Sequence, residues 1–332
     1  MFFRKLKPPL SLKLGLKLQV PITGYDGLKV TQHVHPSILK LKSTLHDVDY
    51  LLAVTPFPYN DEKYEHVSIA SSKDLLVWSE GDVKNPIAYD SKWFNADPHL
   101  TYDPAKHLII VYYMRVLDEI ERWGVKARKT AIFAKCSSDG LHWSDEVKVL
   151  EEIDYGVQYL SPSVIYDAEL GKFLLWVIIN DKGSLMRILR LYESDNGFEW
   201  RYVANCNVPS PRYEGEEWSL WHMSIRKVGG QYWMIASMNH SHYYSWNTPM
   251  HMFFFRSTNG IDWMGYDAPI LDSRSAKVKR LYRADFIVEN GLLTLITSWQ
   301  AHDNSWNVSL NTVNISNIMS PRASSDNVVL LS

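Results

Sequence analysis

Ser137-Ser138-Asp139-Gly140-Leu141-His142-Trp143 is one of four stretches in this chain that share the pattern Ser-x-(Asp/Asn)-(Gly/Leu)-x-x-Trp. The others are Ser72-Lys73-Asp74-Leu75-Leu76-Val77-Trp78, Ser194-Asp195-Asn196-Gly197-Phe198-Glu199-Trp200 and Ser257-Thr258-Asn259-Gly260-Ile261-Asp262-Trp263. Their tryptophans stand 65, 57 and 63 residues apart. An Asp/Asn-Gly turn braced by a short polar side chain and closed by a large aromatic is a hairpin signal. At this period it marks an array of similar all-β units.

Working outward from the turns, a second repeat appears. Five segments open on a small polar cluster, run on as a hydrophobic strand, turn on polar residues and return as a very apolar strand. They begin at His35-Pro36-Ser37, Asp97-Pro98-His99, Ser161-Pro162-Ser163, Trp221-His222-Met223-Ser224 and Tyr282-Arg283-Ala284-Asp285. The first four lead through a third strand into their tryptophan turn, and the fifth ends in a degenerate tail. This predicts an all-β fold: a single five-bladed β-propeller of four-stranded antiparallel blades, its ring closed by a terminal strand. A β-sandwich would not give five near-equal repeats. Inner strands are expected to start near 35, 97, 161, 222 and 284, within a propeller spanning 21–332. Residues 1–20 form an N-terminal extension or the closing strand. Leu10, Leu12, Leu14, Leu16, Leu18 and Val20 alternate with polar or small residues, which is strand periodicity, and a segment near Leu28–His33 is the other candidate for closure.

Composition narrows the function. Of 332 residues, 46% are hydrophobic, enough for a sizeable core. A formal charge of -2 gives no electrostatic case for nucleic acid or an anionic membrane as partner. No apolar run approaches the roughly eighteen residues of a membrane span, and the basic N-terminus lacks a signal-peptide core, so a cytoplasmic or phage-virion location is expected. Cys136 and Cys206 are too few and too far apart for a disulfide scaffold or a metal site and read as buried free thiols. The 13 Trp and 19 Tyr suit stacking on sugar rings as well as a core.

Propeller topology places the loops entering the inner strands, and those joining second and third strands, on one face. That face collects Trp93, Asp97, Arg115, Glu217, His240, Tyr243, Trp246 and Glu65, and function is expected there.

The Ser72–Trp78 turn, followed by Asp97-Pro98 opening the next inner strand, resembles the five-bladed propeller glycoside hydrolases of families 43 and 32, over about residues 33–300. The resemblance implies a carbohydrate substrate and carboxylates around an axial funnel, one protonating the leaving oxygen while another acts as base or nucleophile. On that basis Asp97, Glu217 and Asp285 are the expected catalytic acids. Glu217 is the general-acid candidate because Trp218 and Trp221 flank it. His35, Glu65, Trp93, Arg115, Ser161, His222, His240, Tyr243, Trp246, Arg283 and Trp299 are expected to line the substrate site. The chain departs from family 43 in two places. His33-Val34-His35-Pro36-Ser37 stands where the base Asp belongs, and Ser161-Pro162-Ser163 carries no acid. The acids have therefore moved to other blades, or a histidine has taken a proton-transfer role, or catalysis is absent. No cofactor is expected, since no tight ligand spacing is present, although His and Asp side chains at one axis are able to hold an ion. Competing with a glycosidase are a non-catalytic carbohydrate-binding propeller stacking sugars on Trp93, Tyr243, Tyr244, Trp246 and Trp306, and, behind it, a protein-interaction propeller.

Overall fold

Five antiparallel sheets stand around one axis in the computed structural model, which describes residues 11–45, 47–122, 125–151, 157–181, 186–240 and 248–319. Their inner strands are His33–Leu45, Asn95–Asp103, Val157–Asp167, Glu216–Val228 and Arg280–Glu289. Each packs on the next, and the fifth returns to the first. The fold is the five-bladed propeller read from the repeats.

Blade two adds Leu108–Arg122, Val125–Ser137 and Val147–Glu151; blade three adds Lys172–Asp181, Met186–Ser194 and Arg201–Asn205. Blade four adds Gln231–His240, His251–Ser257 and Met264–Gly265, with the short Arg212–Tyr213 on its inner strand. Blade one has three strands, and a bridge from Ser71 to Ser79 stands in for its fourth. Blade five takes its outer strand from the other end of the chain. Leu16–Leu18 pairs antiparallel with Trp306–Asn314, so the first and last strands close the ring. The Leu28–His33 region does not compete for that edge. Asp26-Gly27 turns it into a separate small hairpin, Ile22–Thr23 against Lys29–Val30.

The four turns share one hydrogen-bond pattern. The serine hydroxyl accepts the N–H of the fourth residue, at 3.0 Å from Leu75, 2.8 Å from Gly140 and 2.9 Å from both Gly197 and Gly260. The Asp or Asn side chain accepts the next two amides. The fourth residue has φ between 69° and 81°, which explains glycine there in three turns and makes Leu75 the strained exception. At Gly260 glycine is needed twice over, because an added Cβ would lie 2.8 Å from Trp176, whose indole N–H donates to the Gly260 carbonyl.

Apolar side chains fill the five seams between blades, one cluster per seam. A belt of polar groups closes the ring inside them. Ser37 accepts from Leu100 N–H at 2.9 Å, His99 Nδ1 from Val164 N–H at 3.2 Å, and Ser163 from Ile225 N–H at 2.9 Å. Ser224 donates to Asp285, whose carboxylate accepts Ile38 N–H at 2.8 Å. Arg226 pairs with Asp285 and also donates to the carbonyls of Ile38, Leu100 and Phe286, stitching blades one, two and five across the axis. Cys136 and Cys206 are free and half-buried rather than buried. No helix among the described residues is long and apolar enough to cross a membrane.

Candidate active site

Two residues above each member of the belt, towards the face with the longer loops, stands a second ring: His35, Asp97, Ser161, His222 and Arg283. Each inner strand has a β-bulge at this level. In blades one to three the bulged residue precedes proline and is held at φ 54° (His35), 56° (Asp97) and 52° (Ser161). Non-glycine residues in this region are uncommon and collect at functional sites. The bulge turns these side chains towards one another at the foot of an axial cavity of about 100 Å³.

His35, Asp97 and His222 each present a ligand atom within 4.8 Å of the others, and all three are buried. The hydrogen bonding is asymmetric. His35 Nδ1 is held by Thr55 Oγ1 at 2.8 Å, and His222 Nδ1 by Ser161 Oγ at 3.0 Å. Among the described residues, the Nε2 atom of each ring has no hydrogen-bond partner. His35 Nε2 lies 3.2 Å from Asp97 Oδ1 without the alignment of a hydrogen bond. Oδ2 of Asp97 accepts Ser161 N–H at 2.8 Å, and Arg283 Nη1 reaches Oδ1 at 3.2 Å. His222 approaches the same Oδ1 through Nδ1, at 3.3 Å. Buried imidazoles gathered around a carboxylate oxygen are an arrangement able to hold a divalent ion. Burial lowers His35 to about 4 and His222 well below its usual range, keeping both in the neutral, ligating form. Although burial alone would raise Asp97, the Arg283 guanidinium and the Ser161 N–H hold it well below the carboxylate range while the two imidazoles stay neutral. A carboxylate oxygen has two lone pairs, so Arg283 and an ion are both served by Oδ1. The residues fit a metal.

Glu65 completes the group. It follows the short 3-10 turn Glu62–Tyr64, is 6% exposed, lines the cavity, and lies 3.5 Å from His35 Nδ1. Burial, then the charges of Glu62 and Asp97, push its carboxyl well above the usual range. Phe57, Trp221 and Tyr282 form an apolar wall, with the Tyr282 ring 4.6 Å from His222 and 5.2 Å from His35.

Of the residues singled out in the sequence, His35, Glu65, Asp97, Ser161, His222 and Arg283 come together here. Asp285 lies in the belt below, fully buried and bonded to Ser37, Ser224, Arg226 and two backbone amides. Glu217 pairs in register with Arg212 on the Arg212–Tyr213 edge and does not line the cavity, because that short pairing holds the strand start away from the axis. Arg115 is turned outward into a bidentate pair with Glu146. His240 packs on Trp218 near Glu216, and Trp299 donates to Ser309 within blade five; neither lines the cavity. Trp93 lines a neighbouring cavity. Tyr243 and Trp246 lie outside the described residues.

Arg128 and Glu62 are cavity residues that the sequence reading passed over. The second strand of blade two continues to Arg122. Register places Asp118 opposite Lys129 and Glu119 opposite Arg128, and cross-strand opposite charges of this kind were the available signal.

The sequence matches no protein-family profile and no curated relative. Solved structures share the fold. An N-acetylgalactosamine deacetylase from F. plautii, in complex with blood group B trisaccharide, superposes with a TM-score of 0.76 at 18% identity, over 95% of this chain and 96% of that one. An exo-1,5-alpha-L-arabinanase from a bovine ruminal metagenomic library gives 0.58 at 14% identity, over 89% and 95%. A thermostable family-43 glycoside hydrolase gives 0.59 at 14% identity, over 93% and 92%. At these identities the likeness establishes the fold alone, a five-bladed β-propeller.

Proposed function

We propose that this protein is a metal-dependent hydrolase that removes an acyl group from an amino sugar. The observation that carries the reading is the His35–Asp97–His222 cluster with its two unpartnered Nε2 atoms beside the protonatable Glu65. The superposition on an N-acetylgalactosamine deacetylase supports it.

A divalent ion held by the three residues would polarise an amide carbonyl and make water nucleophilic at neutral pH. The chain's own residues do the rest. Water adds its oxygen to the carbonyl carbon and the carbon–nitrogen bond breaks. Glu65, with its raised proton affinity, carries the proton from the water to the departing amine. Arg283 keeps Asp97 ionised, and Thr55 and Ser161 fix the imidazole orientations. The wall of Phe57, Trp221 and Tyr282 offers an apolar seat for an acyl methyl or the face of a sugar ring.

A glycosidase is the second reading. It is favoured by two cavity carboxyls whose proton affinities are pushed apart, Glu65 upward and Asp97 downward. It ranks second because Asp97 is 1% exposed and stands among the candidate metal ligands. The test separates the two. Acetate and reducing-sugar release are measured on N-acetylhexosaminides and aryl glycosides, with protein stripped by a chelator and reloaded with divalent ions. Acetate release that is lost on stripping and restored on reloading is expected. Glu65→Gln should lower it by about 10²–10⁴ while binding the same amount of metal. Chelator-insensitive release of reducing sugar would favour the glycosidase, and sugar binding without either product would favour the non-catalytic propeller.

A further inference from the structure

Beside the axial cavity lies a larger one of about 340 Å³, lined by Tyr25, His66, Tyr89, Asp90 and Trp93 among others. The two are adjacent, with Glu62, Phe94 and Arg128 lining both. Tyr25 and Tyr89 stack at 5.9 Å with their rings 19° apart, yet remain 40% and 50% exposed. Their positions are set without a ligand. Tyr64 donates to Asp26 at 2.5 Å, and Thr23 binds the Glu80 carboxylate through N–H at 2.8 Å and Oγ1 at 2.7 Å, which anchors the hairpin carrying Tyr25. His66, its Nδ1 held 3.0 Å from Asn95 Nδ2, packs edge-on to Tyr89 at 4.7 Å. Exposed aromatics fixed in advance lower the entropic cost of binding a flat, partly apolar ligand.

Charge narrows the ligand further. Lys63, Lys92 and Arg128 balance Glu62, Asp90 and Glu119 around the cavity, and Arg128 is spent on Glu119 at 2.7 Å and Glu62 at 3.3 Å. A balanced lining favours neither phosphate nor a free ammonium group. It suits an uncharged polar ring with one apolar face, which is a sugar.

We propose that this lateral cavity is a second saccharide subsite. It holds the neighbouring sugar of an oligosaccharide whose acyl-bearing unit occupies the axial cavity, so the protein acts on chains of two or more units in preference to a free monosaccharide. The proposal rests on the deacylation reading for the axial site and extends it.

The experiment compares wild type, Tyr25→Ala/Tyr89→Ala and Tyr89→Phe, whose folds are checked by thermal melting. The probes are N-acetylgalactosamine, N-acetylglucosamine, and di- and trisaccharides ending in each. Calorimetric binding and acetate release are both read. Wild type should bind at least one longer probe tenfold or more tightly than its monosaccharide. The double variant should bring that ratio to within twofold, chiefly by raising KM for the longer probe, and Tyr89→Phe should keep it. A ratio near one in wild type, no binding of any probe, or an unaltered ratio in the double variant would overturn the proposal. The two readings fail separately. Length-dependent binding lost in the double variant without acetate release keeps the subsite and removes the chemistry. Acetate release without length preference does the reverse.

Discussion

The axis of this propeller carries two polar rings two residues apart, and they are built on opposite terms. In the lower ring Ser37, His99, Ser163, Ser224 and Asp285 link each blade to its neighbour, directly or through a backbone amide, and Arg226 seals it from below. In the upper ring His35, His222 and Arg283 keep buried nitrogens without partners, and three members sit at left-handed φ. The members of both rings are buried. Because an unsatisfied buried polar group costs on the order of 1–3 kcal/mol, the upper arrangement makes sense where an external group supplies what the protein withholds. The contrast separates a structural belt from a site, although the residue types in the two are nearly the same.

The largest effect that tests this contrast is on Asp285. Asp285→Ala would leave Arg226 without its carboxylate and two backbone amides, Ile38 and Phe286, without their acceptor. Breaking a buried pair from one side costs roughly 3–5 kcal/mol, so the variant should unfold at a much lower denaturant midpoint. His222→Asn in the upper ring removes one Nε2 that bonds to nothing. It should keep most of its stability and lose tight metal binding. Equal midpoints for the two variants would erase the distinction between the rings.

These rings also show where a sequence stops being readable. The turns were legible because each is a self-contained hydrogen-bond pattern seven residues long, and repetition multiplied the signal. Blade count followed from the second repeat, while strand periodicity left Leu10–Val20 as one of two candidates for the closure that Leu16–Leu18 makes. The bulges in blades one to three left a local trace too, since His35, Asp97 and Ser161 each precede proline. What could not be read was which ring an acid joins. Asp97 and Asp285 are both inner-strand aspartates, and a shift of two residues along the strand decides between site and belt. The cluster itself joins positions 62 and 125 residues apart, from 35 to 97 and from 97 to 222, so no ligand spacing announces it. Glu217 sat beside two tryptophans in sequence, but the strand pairing at Arg212 carried it away from the cavity. Glu65 takes its character from burial, which the sequence does not display.

Acid should act on the buried histidines before it acts on the carboxylates. His99 accepts the Val164 N–H through Nδ1, which requires a neutral ring, and burial with Arg226 nearby lowers it well below its usual range. His33, bonded to the Val20 carbonyl at 2.5 Å, is lowered by burial to about 4. The unfolded chain takes up these protons near 6.5. Stability from such groups is therefore complete above about pH 6.5 and is lost as pH falls towards 4, by up to about 3 kcal/mol for His33. Asp285, held at about 2 against the pull of burial by Arg226 and the Ser224 hydroxyl, adds a second loss of roughly 2 kcal/mol, as pH falls from the usual carboxylate range towards 2. Urea unfolding at pH 7.5, 5.5 and 4.5 reads the first window, and His33→Gln should flatten part of it. A midpoint that stays constant from pH 7.5 to 5 would contradict the neutral, buried histidines.

The finest comparison uses one side chain twice. Ser161 and Ser163 are adjacent members of the two rings on one strand, and both are fully buried. Ser163→Ala takes a hydrogen-bond partner from His99 and from Ile225 N–H, so it should cost about 1–2 kcal/mol and leave metal affinity alone. Ser161→Ala takes the group that orients His222 through Nδ1 and also accepts Met223 N–H, the latter at a long 3.3 Å. Loss of such an outer partner of a ligating histidine typically weakens metal binding 10–100-fold, and the stability cost should be the smaller of the two. Paired measurements of urea midpoint and metal affinity on the two alanine variants check this. If Ser163→Ala weakened the metal as much as Ser161→Ala, the rings would form a single coupled network. The unpartnered nitrogens of the upper ring would then be a property of the whole axis rather than the mark of a site.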